Sequence, residues 1–125
     1  METKALSVLV IEDDEFLVNA YRTKLTKEGF DVHFAVDGQE AMKTLETLHP
    51  NVILLDLVLP KKDGFAVLEE IKKISSLSKI PVIVASNLSQ KADVERCKKL
   101  GAHEFVVKSE LSLDDIVAKI RKAAG

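Results

Sequence analysis

Five short apolar stretches punctuate the chain, and each gives way to a segment in which apolar residues recur at three- or four-residue steps. The stretches run from Leu6 to Ile11, Val32 to Val36, Val52 to Leu55, Pro81 to Ala85 and Glu104 to Val107. The first, third and fourth are almost unbroken, which is the pattern of strands covered on both faces in a parallel sheet. Between them the period is helical. Leu17, Tyr21 and Leu25 keep one face, as do Ala41 and Leu45 before Leu48, and Val67 and Ile71 before Ile74. Leu113, Ile116, Val117 and Ile120 line the last such segment. Asp37, Asp63 and Ser112 stand where helix N-caps belong, with Asp115 completing a capping box after Ser112, and Gly29 and Gly101 stand where helices should end.

Strand and helix alternating five times predict an α/β fold: a doubly wound, five-stranded parallel sheet with helices on both faces. No repeat, low-complexity tract or linker interrupts the alternation, so residues 1–125 are expected to form a single domain. A chain of 125 residues buries about two-thirds of its unfolded surface, enough for one core. Its apolar runs stop short of the roughly 18 residues of a membrane helix. The opening Met1-Glu2-Thr3-Lys4 has no basic-then-apolar leader pattern, so a cytoplasmic location with no membrane attachment is expected. A lone Cys97 cannot close an internal disulfide and reads as a small residue on a helix face. The 18 basic and 20 acidic residues are dispersed and leave a net charge of −2. That balance lacks the clustered Lys and Arg of a nucleic-acid footprint, and the pairs Lys61-Lys62, Lys72-Lys73 and Lys98-Lys99 read as solvated faces.

The chemistry gathers where the apolar stretches end. Asp56 closes Asn51-Val52-Ile53-Leu54-Leu55, and Glu12-Asp13-Asp14 closes the first stretch. An unpartnered buried carboxylate costs several kcal/mol, so something must hold Asp56 there. Ser86 and Lys108 end the fourth and fifth stretches. In open α/β sheets the carboxyl ends of the strands surround one ligand crevice, which would collect Glu12, Asp13, Asp56, Ser86 and Lys108. Carboxylates so placed need a cation or a shared proton. An all-oxygen set suits a hard divalent ion, Mg²⁺ first, and the edge positions of His33, His49 and His103 argue against zinc. With Lys108 and Ser86 opposite, the set has the charges that phosphoryl transfer uses, and Asp56 becomes a candidate nucleophile. The bland alternative is a buried salt bridge of Lys108 with Asp13 or Asp56 that serves no ligand.

The chain resembles, over essentially its whole length, the receiver domain of bacterial two-component response regulators, the CheY-like family. The resemblance rests on Glu12-Asp13 after the first strand, Asp56 followed four residues later by Pro60, Asp63-Gly64 opening the next helix, Ser86 ending the fourth strand and Lys108 ending the fifth. It implies a flavodoxin-like (βα)5 sheet with strand order 2-1-3-4-5. It further implies that Asp56 accepts a phosphoryl group from a sensor histidine kinase, a phosphotransfer protein or a small donor such as acetyl phosphate. Mg²⁺ or Mn²⁺ would be bound by Asp13, Asp56 and the Val58 backbone carbonyl, with Glu12 acting through a metal-bound water. Asp14 would cap the first helix. Ser86 and Lys108 would bind phosphoryl oxygens, and Ser86 with Phe105 would form the switch that reshapes the face of helix four, strand five and helix five. No organic cofactor is implied. Partners would be the kinase and a downstream protein, without nucleic acid, and a phosphorylation-dependent dimer is a further expectation. The domain would catalyse its own phosphorylation and slow dephosphorylation without being a turnover enzyme.

Three departures from the family pattern stand near the crevice. Ser109 follows Lys108 where relatives usually carry proline, Asn87 follows Ser86 where a small residue is usual, and Val58 and Leu88 offer no side-chain hydrogen bond to orient an attacking water. The last pair predicts slow loss of the phosphoryl group. Four readings compete: a phosphoaccepting receiver without an attached output domain, a degenerate receiver that signals by binding alone, a flavodoxin-like cofactor binder, and an aspartyl phosphatase. The flavin reading would need a Ser/Thr/Gly-rich loop where Glu12-Asp13-Asp14 stands. The phosphatase reading would need an acid in place of Val58.

Overall fold

The structure, a computed structural model, describes residues 5–87 and 90–125. The leader expectation at Met1-Glu2-Thr3-Lys4 and the expectation for Leu88 lie outside the described residues. Five strands, β1 (Ser7–Ile11), β2 (Asp31–Ala35), β3 (Val52–Leu55), β4 (Val82–Ser86) and β5 (Glu104–Val107), alternate with five helices. The helices are α1 (Glu15–Lys27), α2 (Gly38–Thr44), α3 (Gly64–Lys73), α4 (Lys91–Lys99) and α5 (Leu113–Ala124), with a 3₁₀ turn at Lys108–Glu110 before α5. The sheet is wholly parallel in the order β2-β1-β3-β4-β5, the doubly wound arrangement expected from the alternation.

Every residue of β3 and β4 is buried, as their unbroken apolar sequences require. One layer of core holds Leu9, Ile11, Ile53, Leu55, Val82 and Val84 under α2, α3 and α4. The other holds Val8, Val10, Leu54 and Ile83 under α1 and α5. Successive strand residues alternate between these layers, which is why the strands must be apolar throughout. Cys97 is fully buried in the first layer, and burial pushes its thiol up to about 11, so it stays protonated and inert at neutral pH.

The caps explain where the helices begin. Asp14, Asp37 and Asp63 each accept backbone N–H groups of the first turn that follows, and Ser112 forms a full capping box with Asp115. Gly29 and Gly101 have φ of 91° and 95°, the left-handed conformation that ends helices at little steric cost. Boundaries move by one residue at β1, β2 and β4, and β4 takes in Ser86 itself. Helix α2 stops at Thr44, ahead of Pro50, so Leu48 packs on the core from beyond the helix. Lys72 is a correction to the solvated-face reading. Its amine donates to the carbonyls of Ser78 and Ile80, both at 3.1 Å, and ties down the loop between α3 and β4. Among the described residues no helix is long and apolar enough to cross a membrane.

Candidate functional site

Parallel register builds the site. Ile11 of β1 pairs with Leu55 of β3, so the next residue on each strand, Glu12 and Asp56, emerges side by side at the carboxyl edge. The pairing is prolonged by Asp56 N–H, which donates to the Ile11 carbonyl at 3.0 Å, while Glu12 N–H donates to Ala35 of β2 at 3.0 Å. Both carboxylates are buried, at 2% and 8% exposure, values that leave them dependent on protein partners. Lys108 supplies the partner. Its amine lies 3.0 Å from Asp56 Oδ2 and donates to Glu12 Oε1. Glu12 Oε2 accepts the Asp14 N–H at 3.1 Å, and Asp56 Oδ1 accepts the Val58 N–H at 3.3 Å.

The acidic triplet divides its labour. Asp14 is committed to α1, accepting from Phe16 and Leu17 N–H through Oδ1. Asp13 is exposed, and one oxygen each from Glu12, Asp13 and Asp56 lie within 4.8 Å of one another. Three carboxylates against the Lys108 ammonium leave a formal charge of −2, which a hard divalent cation with all-oxygen ligands would neutralise. The donor set therefore fits Mg²⁺ or Mn²⁺. Burial pushes the Glu12 carboxyl above its ordinary range, against the opposing pull of Lys108 and the Asp14 N–H. Burial pulls the Lys108 amine down, but Glu12 and Asp56 outweigh it and hold the amine above its ordinary range, so Lys108 is a fixed cation at neutral pH.

Beside Asp56 opens a cleft of about 270 Å³, lined by Asp56, Val58, Ser86, Asn87 and Lys108. Ser86 is fully buried at the end of β4, and Val58 is 59% exposed, so the mouth carries an apolar residue. Phe105 sits three residues before Lys108, opposite Val84 in the sheet, and packs on the core layer under α4. It is half-buried and stands outside the cleft lining, so the structure does not bring it to Asp56. His33, His49 and His103 also lie away from the cleft; His33 pairs with Asp31 at 3.2 Å on the edge strand.

Several contacts around the cleft were invisible in the sequence. Lys61 has φ 65° and pairs with the Asp37 carboxylate at 3.5 Å, joining the loop after Asp56 to the start of α2. Ser109 N–H donates to Asn87 Oδ1 at 3.1 Å. Gly64 donates its N–H to the Leu57 carbonyl at 2.9 Å, and a Cβ there would stand 2.3 Å from the Asp56 carbonyl oxygen. That obstacle is backbone and cannot rotate aside. Gly64→Ala is expected to destabilise the fold by about 1–3 kcal/mol, the cost of overpacking, and to weaken divalent-ion binding because the shift falls on Asp56. Urea denaturation and a Mg²⁺ titration check it; a variant equal to wild type in both would show that the close approach does not constrain the loop.

The family model for the response regulator receiver domain matches residues 8–121. A curated relative from Porphyridium aerugineum, named "Probable transcriptional regulator ycf27", is 37% identical over 91% of the chain and 46% of its own length. The chain thus spans about half the length of the curated relatives it matches. Among solved structures, the phosphorylated cyanobacterial phytochrome response regulator RcpA is 30% identical, with a TM-score of 0.83 over 95% of this chain and 91% of that one. The receiver domain of the Francisella response regulator 1452 is 28% identical, with a TM-score of 0.87 over 95% and 96%.

Proposed function

The chain belongs to the response regulator receiver domain family, and from that premise we propose that it is a phosphorylation switch whose acceptor is Asp56. Receiver domains are signalling modules rather than metabolic enzymes, they bind Mg²⁺ at an acidic pocket, and response regulators interact with histidine kinases. The observation that carries the reading is the meeting of Asp56, Ser86 and Lys108 in one cleft beside the Glu12, Asp13 and Asp56 carboxylates. RcpA, the phosphorylated relative at 30% identity, supports it.

In the proposed step a carboxylate oxygen of Asp56 attacks the donor's phosphorus. An O–P bond forms as the P–N bond of a phosphohistidine, or the P–O bond of acetyl phosphate, breaks. The leaving imidazole takes a proton from solvent, whereas acetate leaves as the anion. Lys108 neutralises charge on the transferring oxygens, and the Ser86 hydroxyl donates to one of them. Glu12, Asp13, Asp56 and the Val58 carbonyl would hold the divalent ion, which when bound screens the negative donor from the carboxylates. Return of the acceptor needs a water to attack phosphorus. Val58 has no side-chain donor or acceptor to orient that water, so the phosphoryl group is lost slowly.

Phosphorylation would place a dianion beside Ser86 and Lys108, and the resulting shift at β4 would be read at Phe105 and the face of α4, β5 and α5. A downstream protein, or a second copy of the chain, would dock on that face. The dispersed charge of this stretch gives no reason to place nucleic acid against it, and a cytoplasmic kinase would reach it in the same compartment.

Calorimetry with the phosphoryl mimic BeF₃⁻ tests the reading. Binding is expected to require Mg²⁺, and Asp13→Asn is expected to weaken the Mg²⁺ affinity at least tenfold. No BeF₃⁻ binding with Mg²⁺ present would favour a module that signals by contact alone, and equal binding without Mg²⁺ would contradict the role given to the clustered carboxylates.

A further inference from the structure

Two of the departures from the family pattern, Asn87 and Ser109, lie 22 residues apart and touch. Ser109 is the second residue of the 3₁₀ turn that begins at Lys108. The first N–H groups of any helical turn lack a partner within it, and this turn has no side-chain cap of its own. Asn87 Oδ1 accepts the Ser109 N–H at 3.1 Å and supplies what the cap does not. A proline at 109 would have no hydrogen to donate, so the contact exists only because both positions depart together. No cis peptide occurs among the described residues, so the turn is reached through an ordinary trans bond.

Position gives the contact its consequence. Asn87 directly follows Ser86, which pairs with Val107 at the end of the β4–β5 ladder. The paired register ends there, and the Asn87 side chain joins the two segments just after Lys108 leaves the sheet. Lys108 in turn is 3.0 Å from Asp56. The amide must present its oxygen to an N–H donor, so its orientation is fixed by chemistry, and the oxygen is not available to repel an anion in the cleft.

Resting on the reading of Asp56 as phosphoacceptor, we propose that Asn87 is a positioning residue that holds the Lys108 turn through the Ser109 N–H and so aims the lysine at the acceptor. It does in this chain, by a hydrogen bond, the stiffening that a proline ring would do after the lysine. It also ties the Ser86 end of β4 to the lysine, so the two groups that face the phosphoryl oxygens move as one unit.

The test is a mutant cycle read by two ligands. Asn87→Ala is expected to bind BeF₃⁻, in saturating Mg²⁺, about fivefold more weakly, the size of one ordinary hydrogen bond. Its Mg²⁺ affinity should not fall, because a lysine released from Glu12 and Asp56 leaves those carboxylates no weaker as partners for the cation. Ser109→Ala, which keeps the N–H, should match wild type, and in a Ser109→Pro background Asn87→Ala should cause no further loss. The Ser109 amide proton resonance should move upfield in Asn87→Ala, which reports the bond even if the affinity change is small. Equal BeF₃⁻ affinity in wild type and Asn87→Ala, parallel loss of both ligands, or an undiminished effect in the proline background would overturn the proposal alone. A wild-type protein that takes no BeF₃⁻ would overturn the reading of the site with it.

Discussion

Lys108→Met is expected to slow the Mg²⁺-dependent reaction with acetyl phosphate by about 100- to 1,000-fold, the usual effect of removing one preorganised charge from a developing oxyanion. Methionine keeps the apolar stem that crosses the cleft wall and removes only the ammonium. The ammonium serves two masters in the resting protein, Asp56 at 3.0 Å and Glu12. Its loss therefore has an opposite effect on the cation. With one fewer positive charge among the carboxylates, Mg²⁺ should bind at least tenfold more tightly, since tenfold takes only about 1.4 kcal/mol and a charge about 4 Å away is worth about 4 kcal/mol at an effective dielectric near 20. Slower chemistry together with tighter metal binding cannot come from general damage to the fold. Stopped-flow phosphorylation and calorimetry measure the two signs, and a loss of both would remove Lys108 from its assigned place.

The same variant has a pH signature. Burial already pushes the Glu12 carboxyl above its ordinary value of 4.5 in the folded protein, and removing Lys108 takes away the largest opposing pull. A carboxyl whose folded pKa exceeds its unfolded one binds its proton preferentially when folded. It therefore adds stability as pH falls through the folded pKa toward 4.5, and that stability is lost again as pH rises. Apo Lys108→Met should thus melt at a higher temperature at pH 5 than at pH 7, with a larger difference than in wild type. Glu28, Asp37 and Asp115 do not obscure that window. Hydrogen bonding to Arg121, to the Glu40 N–H and to the Ser112 N–H, respectively, holds their carboxyls low, so their contribution is lost only as pH falls below the ordinary carboxylate range.

The strands and caps were legible because they depend on neighbours in sequence. Asp37, Asp63 and Ser112 cap the residues three positions on, and Gly29 and Gly101 mark helix ends by their own backbone freedom. The gathering of Glu12, Asp13, Asp56 and Lys108 could also be foreseen, because a parallel sheet delivers strand ends to one edge. What escaped is contact between loops. Lys72 looked like one of a solvated pair, and only its position against the loop before β4 reveals that it caps carbonyls there. The reach of Lys61 to Asp37 requires a left-handed residue that no glycine or asparagine announced. Asn87 and Ser109 each looked like an isolated departure, since nothing in a linear sequence pairs residues in separate loops.

Asp56 is where a conservative change should have the largest effect. Asp56→Asn keeps the size and the acceptor oxygen for the Val58 N–H, but it removes the charge that faces Lys108 and the anionic oxygen that would attack phosphorus. An amide cannot form a stable acyl phosphate, so the variant should lose acceptor chemistry entirely while remaining folded. It should also weaken Mg²⁺ binding, because one of the three clustered carboxylates is gone. Intact-mass spectrometry after incubation with acetyl phosphate and Mg²⁺ decides the matter on wild type and Asp56→Asn in parallel. The wild type should gain one phosphoryl group, only with the metal present, and the variant none; a variant that gains the same mass as wild type would place the acceptor elsewhere and contradict the account.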